Sequence, residues 1–186
     1  MPKPPSIHAA PLPYETQLPL RRRDDITLLV IHCTELPDLA TAREYGERVL
    51  YASGAGNSGH FYIDRDGRIE QYVALERVAH HVRGQNAHSL GIELVNLGRY
   101  PHWLDSRHQT MREPYPEAQL QALESLLHWL RAELPALTEI AGHDALDTTQ
   151  EPASDDPALK VQRKLDPGPQ FPWPRIRAAF AAAARG

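Results

Sequence analysis

Three side chains of this 186-residue chain are of types that can bind a metal ion, and each has a distinctive position in the sequence. His32 lies near the end of the apolar run 26–33, His143 follows segment 137–142, and Asp166 stands before a proline. Two histidines and one carboxylate are a usual ligand set for a catalytic zinc ion, which keeps a fourth position for water. No two of them have a fixed helical spacing, so the fold would have to bring them together. By spacing alone, ordinary buried or surface histidines remain the alternative.

Strand patterns lie close to all three candidates. Five segments are predicted as strands: 26–33, 59–65, 68–73, 89–96 and 137–142. The first is a nearly continuous apolar run, which is typical of a strand buried on both faces. Asp66-Gly67 is a dipeptide that closes tight hairpins, so the second and third strands should be antiparallel. In 89–96 the alternation puts Glu93 on the face opposite the leucines.

Helical patterns and proline-rich segments complete the expected architecture. Helices are predicted over 40–51, from 117 to about 134, and over 175–185, with polar loops at 98–116 and 144–163. Residues 1–25 contain six prolines and no sustained period, so they are predicted to form an extended arm. Residues 26–186 then form one α/β domain, in which helices flank a central mixed β-sheet and a cleft opens at the strand ends.

Composition excludes several classes of function. The chain has 20 Lys and Arg against 24 Asp and Glu, a net charge of −4, which argues against a nucleic-acid partner. The basic run at 21–23 precedes two aspartates and is interpreted as surface. No segment has the roughly 18 consecutive apolar residues of a membrane helix. The first residues contain prolines where a signal peptide would have an apolar core, so a cytoplasmic location is expected. A periplasmic or secreted location is the alternative if a signal peptide was removed.

Five segments together resemble a known family. They are 29–33, 58–73, 86–93, 142–143 and 163–173, in that order along the chain. They resemble the AmpD-like branch of the N-acetylmuramoyl-L-alanine amidases, which are zinc amidases related to peptidoglycan recognition proteins. The resemblance extends from about residue 26 to residue 176. Chance alone is a poor explanation for five matching segments in the order that the family has.

The resemblance implies a zinc ion bound by His32, His143 and Asp166. It also implies that Glu93 is the acid/base residue and that Lys164 helps to stabilise the transition state. Zinc-activated water and a polarised carbonyl suit amide hydrolysis, and Glu93 would carry the proton to the leaving amine. Lys164 is two residues from Asp166, so both side chains project from the same face of an extended segment. The implied substrate is the bond between the muramic acid lactyl group and L-alanine.

The chain departs from the family around the expected substrate wall. Residues 80–83 read His-His-Val-Arg where relatives often have Trp-His-Ala-Gly, and Gly59 falls where some relatives have a tyrosine. His81 matches the family histidine. His81, Arg83 and Asn86 are predicted to contact substrate, although a role in capping the loop fits Arg83 and Asn86 equally well.

Alternative functions stay open at this level. A non-catalytic module that binds or senses peptidoglycan would keep the fold without turnover, and a zinc deacetylase would release acetate instead of peptide. A hydrolase based on Cys33, the only cysteine, is disfavoured because adjacent strand residues such as His32 and Cys33 point to opposite faces. The partner is expected to be soluble anhydro-muropeptide fragments or polymeric peptidoglycan. The sequence does not determine which, nor the oligomeric state.

Overall fold

A six-stranded mixed sheet forms the centre of the protein in the computed structural model, which describes residues 5–183. The strands are β1 (Ile7–Ala9), β2 (Leu28–Cys33), β3 (Phe61–Ile63), β4 (Ile69–Gln71), β5 (Ser89–Leu94), β6 (Glu139–Gly142), β7 (Gln150–Pro152) and β8 (Lys160–Gln162). The helices are α1 (Leu39–Glu47), α2 (Glu117–Glu133), α3 (His143–Leu146) and α4 (Trp173–Ala183). Within the described residues no helix is both long and apolar enough to cross a membrane.

The strand order of the main sheet is β1-β4-β3-β5-β2-β6. Strands β3 and β4 form the antiparallel hairpin predicted around Asp66-Gly67, and the other neighbours are parallel. The α/β fold with a mixed sheet is therefore confirmed. Because β2 and β5 are parallel, with His32 paired opposite Glu93, their carboxyl ends meet at one edge of the sheet.

Helices α2 and α4 cover one face of the sheet and bury most of the core. The apolar stripe of α2 packs on the face of β5 that presents Leu90, Ile92 and Leu94, all fully buried. Cys33 belongs to this core, whereas the neighbouring His32 points to the opposite face. This alternation removes the basis for a Cys33–His32 catalytic pair.

The opposite face is covered by α1 and by the N-terminal residues. Asp38 caps α1, since its carboxylate accepts a hydrogen bond from the Thr41 amide at 2.7 Å. The helix ends at Glu47, so the prediction that it continues to residue 51 was wrong. Val49 and Leu50 are about 60% exposed, and the Leu50 amide donates to the Ala55 carbonyl. Without a buried face, a further helical turn gains no packing energy.

Residues 5–25 lie against the domain and are joined to it by a strand and by buried side chains. Strand β1 pairs in parallel with β4, and Leu12, Tyr14 and Leu18 are buried against α1 and its surroundings. Arg21 was interpreted as surface, but its guanidinium donates to the carbonyls of Leu75 and Ser89 at 2.9 and 2.6 Å. A local charge pattern could not reveal these distant acceptors. Residues 1–4 of the predicted arm lie outside the described residues.

The segment 144–163 was predicted as a loop and contains more structure than that. It includes most of α3 and the hairpin β7–β8, in which Gln150 pairs with Gln162. The strands of the hairpin are mostly polar and only Val161 in them is buried, so they lack the apolar alternation that reveals a buried strand. At the end of the chain, α4 runs from Trp173 to Ala183. Residues 184 and 185 of the predicted last helix lie outside the described part of the chain.

Candidate metal centre and catalytic cleft

His32, His143 and Asp166 converge at the carboxyl-terminal edge of the sheet. His32 is near the end of β2, His143 follows β6 directly, and Asp166 lies on the segment after β8. The Nδ1 atoms of the two histidines are 3.0 Å apart and lie 2.9 and 3.1 Å from Asp166 Oδ2. All three residues are at most 3% exposed. The fold thus brings together the side chains that the sequence singled out as metal ligands.

The arrangement of these atoms fits a metal ion. Zinc bonds of about 2.0–2.1 Å at tetrahedral angles separate neighbouring ligand atoms by about 3.3 Å, close to the three observed distances. Asp166 Oδ1 is buried without a hydrogen-bond partner among the described residues. A buried carboxylate oxygen with no donor is costly unless a cation compensates it. Two imidazole nitrogens and one carboxylate oxygen are also the donor types that zinc prefers.

Electrostatics favour the protonation states that metal ligands require. Burial lowers the pKa of His32 to about 4, so its imidazole is neutral at pH 7. Burial alone would raise the pKa of Asp166, but hydrogen bonds from His143 and His32 hold it well below its usual range. A neutral imidazole and an ionised carboxylate can both donate a lone pair to a cation.

His81 lies behind His32 and contacts it directly. His81 Nδ1 is 3.0 Å from His32 Nε2, and His81 Nε2 is 3.1 Å from the Ser89 hydroxyl. Gly91 faces the His81 ring, and a β-carbon there would lie 2.7 Å from the ring. A second hydrogen bond of this kind orients a ligating histidine and tunes its basicity. His81 also lines the cleft, so the predicted substrate contact stays a prediction.

Glu93 lies beside the three candidate ligands on the floor of the cleft. Its side chain is 15% exposed, and its carboxylate reaches within 3.9 Å of His32 Nδ1. Burial raises the pKa of Glu93 to about 8, with a further contribution from the charge of Asp166, while Lys164 acts in the opposite direction. Gly59 provides the space for Glu93, because a β-carbon at residue 59 would lie 2.8 Å from Glu93 Cγ.

The cleft above these residues has a volume of about 710 Å³. Lys164 and Arg83 both line it, and Arg83 is exposed at its rim. Asn86 lines it as well, but its side-chain oxygen accepts the amides of His81 and Val82 at 3.0 and 2.8 Å. The capping role that the sequence left open for Asn86 is therefore present in the structure.

Sequence reasoning missed several residues of the cleft. Three aromatic side chains, Tyr45, Tyr51 and Trp103, are among the residues that line it. Glu35 and Arg99 form a buried ion pair in its wall, with Arg99 Nε 2.7 Å from Glu35 Oε1. Their separation of 64 residues is too long for any local pattern to indicate the pairing.

Comparison with protein families agrees with this geometry. The family model described as N-acetylmuramoyl-L-alanine amidase matches residues 22–169, which include all three candidate ligands and both candidate catalytic residues. The chain belongs to this amidase family. The resemblance seen in the sequence motifs is confirmed.

Individual proteins similar to this chain are also named as amidases. The chain is 34% identical over 133 residues to the 1,6-anhydro-N-acetylmuramyl-L-alanine amidase AmpD of Salmonella typhimurium strain SL1344, covering 67% of this chain and 57% of the relative. It is 30% identical to the AmpD of Enterobacter cloacae, covering 84% and 82%. Its fold matches AmpDh3 from Pseudomonas aeruginosa in complex with anhydromuramic pentapeptide, at 27% identity and a TM-score of 0.61, covering 87% and 61%. The chain spans little more than half the length of the first relatives it matches.

Proposed function

We propose that this chain hydrolyses the amide bond between the lactyl group of N-acetylmuramic acid, or its 1,6-anhydro form, and L-alanine. Zinc is the proposed cofactor, with His32, His143 and Asp166 as its ligands. The observation that carries the proposal is the set of three ligand atoms within 4.8 Å of one another, next to the Glu93 carboxylate. Membership of the amidase family supports the same reaction.

Each of these side chains has a separate role in the proposed reaction. A zinc ion bound there would supply Lewis acidity, lowering the pKa of water and polarising a carbonyl. In its ionised form, Glu93 accepts the proton of the attacking water and passes it to the nitrogen of the departing L-alanine. The Lys164 ammonium stabilises the negative charge that develops on the carbonyl oxygen of the scissile amide. The largely buried position of Glu93 keeps bulk water from competing for the proton.

The cleft wall suits a substrate that is part sugar and part peptide. Tyr45, Tyr51 and Trp103 provide an aromatic surface against which the muramic acid ring can pack. Arg83 at the rim forms no ion pair within residues 5–183, so it is available to a carboxylate of the stem peptide. His81 and Asn86 also belong to the proposed substrate wall. His81 contacts His32, and the Asn86 side chain accepts a hydrogen bond from the His81 amide.

Soluble fragments are the preferred substrate over polymeric peptidoglycan. The AmpD relatives are named for the 1,6-anhydro fragment, and the AmpDh3 structure contains an anhydromuramic pentapeptide. An endolysin of Enterobacteria phage K11 is also similar, at 34% identity over 85 residues, which makes the polymer the alternative to test. A role in recycling cell-wall fragments, and with it a cytoplasmic location, follows from the preferred substrate and stays a prediction.

Product analysis tests the proposal. The zinc-loaded protein is incubated separately with anhydro-muropeptides and with intact sacculi, and the products are identified by mass spectrometry. Free stem peptide from the fragments alone is the expected result, and Glu93→Ala should abolish it while keeping zinc. Peptide from sacculi as well would extend the substrate to the polymer.

Three other outcomes would contradict the proposal or its ligand set. Release of acetate without peptide would indicate a deacetylase. Binding of fragments without any cleavage would favour the peptidoglycan-sensing module instead. Zinc content and activity that survive Asp166→Ala would contradict the proposed ligand set.

A further inference from the structure

A buried ion pair connects the loop after β2 with the loop after β5. The side chains of Arg99 and Glu35 are only 1% and 7% exposed. Arg99 Nε donates to Glu35 Oε1 at 2.7 Å and Arg99 Nη2 donates to Glu35 Oε2 at 2.8 Å. This bidentate geometry is the strong and directional form of an arginine–carboxylate pair.

The same guanidinium also holds the chain just before Lys164. Arg99 Nη1 donates to the Gln162 carbonyl at 3.0 Å, and Nη2 donates to the Arg163 carbonyl at 3.2 Å. A further Nη1 bond reaches the Gln109 side chain at 3.0 Å. An arginine has five N–H donors, and these contacts use all five. Arg99 therefore has no donor left for a substrate, although it lines the cleft.

The position of these contacts along the chain relates them to the proposed active site. Glu35 is three residues after His32, while Arg163 immediately precedes Lys164. The ion pair thus links the end of β2 to the segment that carries Lys164 and Asp166. Glu35 adopts a left-handed backbone conformation, with φ of 49°, which is uncommon for a residue other than glycine. Such a conformation persists only where the surrounding contacts maintain it.

We propose that Arg99, held by Glu35, is a positioning residue that sets the distance between the Lys164 ammonium and the reacting carbonyl. The inference rests on the proposed function, because that function gives Lys164 its role. Buried hydrogen bonds to two consecutive carbonyls restrain the backbone at residues 162 and 163. A misplacement of about 1 Å at a catalytic group can cost on the order of 10²-fold in rate.

The first test is kinetic and uses Arg99→Lys. Lysine keeps the charge but is a point donor that cannot reproduce the bidentate fork. We expect kcat to fall by roughly 10- to 100-fold with KM changed by less than about threefold, because ground-state binding is retained. Zinc content should equal that of the parent protein. In a Lys164→Ala background, Arg99→Lys should cause almost no further loss, since the residue through which it acts is gone.

A second measurement does not depend on activity. Hydrogen–deuterium exchange should become faster for a peptide covering residues 160–166 in Arg99→Lys. The matched control is Arg65→Lys: Arg65 also forms a bidentate pair, with Glu113 at 2.6 and 3.1 Å, and donates to the Pro37 carbonyl. It makes no hydrogen bond to residues 162 or 163, so its variant should leave kcat and the exchange of 160–166 unchanged.

The outcomes separate this inference from the proposed function. Unchanged kcat and exchange in Arg99→Lys, or losses that simply add to those of Lys164→Ala, would overturn the positioning role while leaving the amidase intact. A parent protein without amidase activity would contradict the proposed function, and the exchange measurement would still decide whether Arg99 restrains residues 162 and 163. If Arg99→Lys does not fold, Glu35→Gln removes the partner charge with little change in shape and is expected to give the same kinetic pattern.

Discussion

Replacing Gly91 by alanine should weaken binding of the proposed zinc ion by displacing His81, which contacts the candidate ligand His32. A β-carbon at Gly91 would lie 2.7 Å from both Cγ and Nδ1 of His81, whereas ordinary contacts begin at 3.4 Å. The His81 ring must therefore move by about 0.7 Å, the difference between these two distances. Gly91 lies within β5 between two paired strands, so the backbone cannot yield easily.

A displacement of this size directed away from His32 would break the contact between the two histidines. His81 Nδ1 is 3.0 Å from His32 Nε2, so a shift of about 0.7 Å away from it would lengthen the distance to about 3.7 Å, beyond the range of a hydrogen bond. Losing the second hydrogen bond of a ligating histidine typically lowers metal affinity by roughly 10- to 100-fold, or about 1.4–2.7 kcal/mol. We expect a loss of this size in Gly91→Ala.

Competition with a chelator of known zinc affinity measures the effect. Far-UV circular dichroism of the zinc-free proteins checks that both are folded. Gly46→Ala is the control, because its new β-carbon would lie 3.5 Å from Leu12 and 3.9 Å from Tyr72, which are normal contacts with side chains outside the candidate ligand set. Zinc affinity in Gly91→Ala equal to that of the parent and of Gly46→Ala would refute the argument that His81 supports His32.

Further predictions concern catalysis and stability. Glu93→Gln should retain zinc but lower kcat by about 10²- to 10⁴-fold, measured by peptide release, because the amide cannot transfer the proton. Gly46→Ala should raise the free energy of unfolding by about 0.5 kcal/mol in urea titration, since alanine loses less conformational entropy in a helix. Arg21→Met should lower it by about 2 kcal/mol or more, because the carbonyls that Arg21 binds lose a donor. Burial opposes the change, but hydrogen bonds from Thr149 and Arg163 lower the pKa of Asp147 to about 2, so Asp147→Asn should lower the free energy of unfolding at pH 7. This contribution is complete above pH 3.8 and should disappear as the pH falls through 2.

Local patterns predicted the parts of the fold that depend on burial. The run that became β2, the alternation around Glu93 and the hairpin at Asp66-Gly67 all survive in the structure. The same reasoning failed for β1 and for β7–β8. These are three-residue strands in which Val161 alone is buried, and they are held by backbone hydrogen bonds that leave no apolar period.

The sequence by itself determined the family, the fold class and the residues that are candidates for the metal and for proton transfer. It could do so because family motifs and strand ends are local features that can be read one segment at a time. Only the tertiary structure decided that His81 contacts His32, that Asn86 caps its own loop, and that Arg99 binds Glu35 and the carbonyls before Lys164. The His81 and Arg99 contacts join residues 49 to 64 positions apart. Their energy comes from burial and directed hydrogen bonds formed when the chain folds, and no spacing in the sequence encodes them.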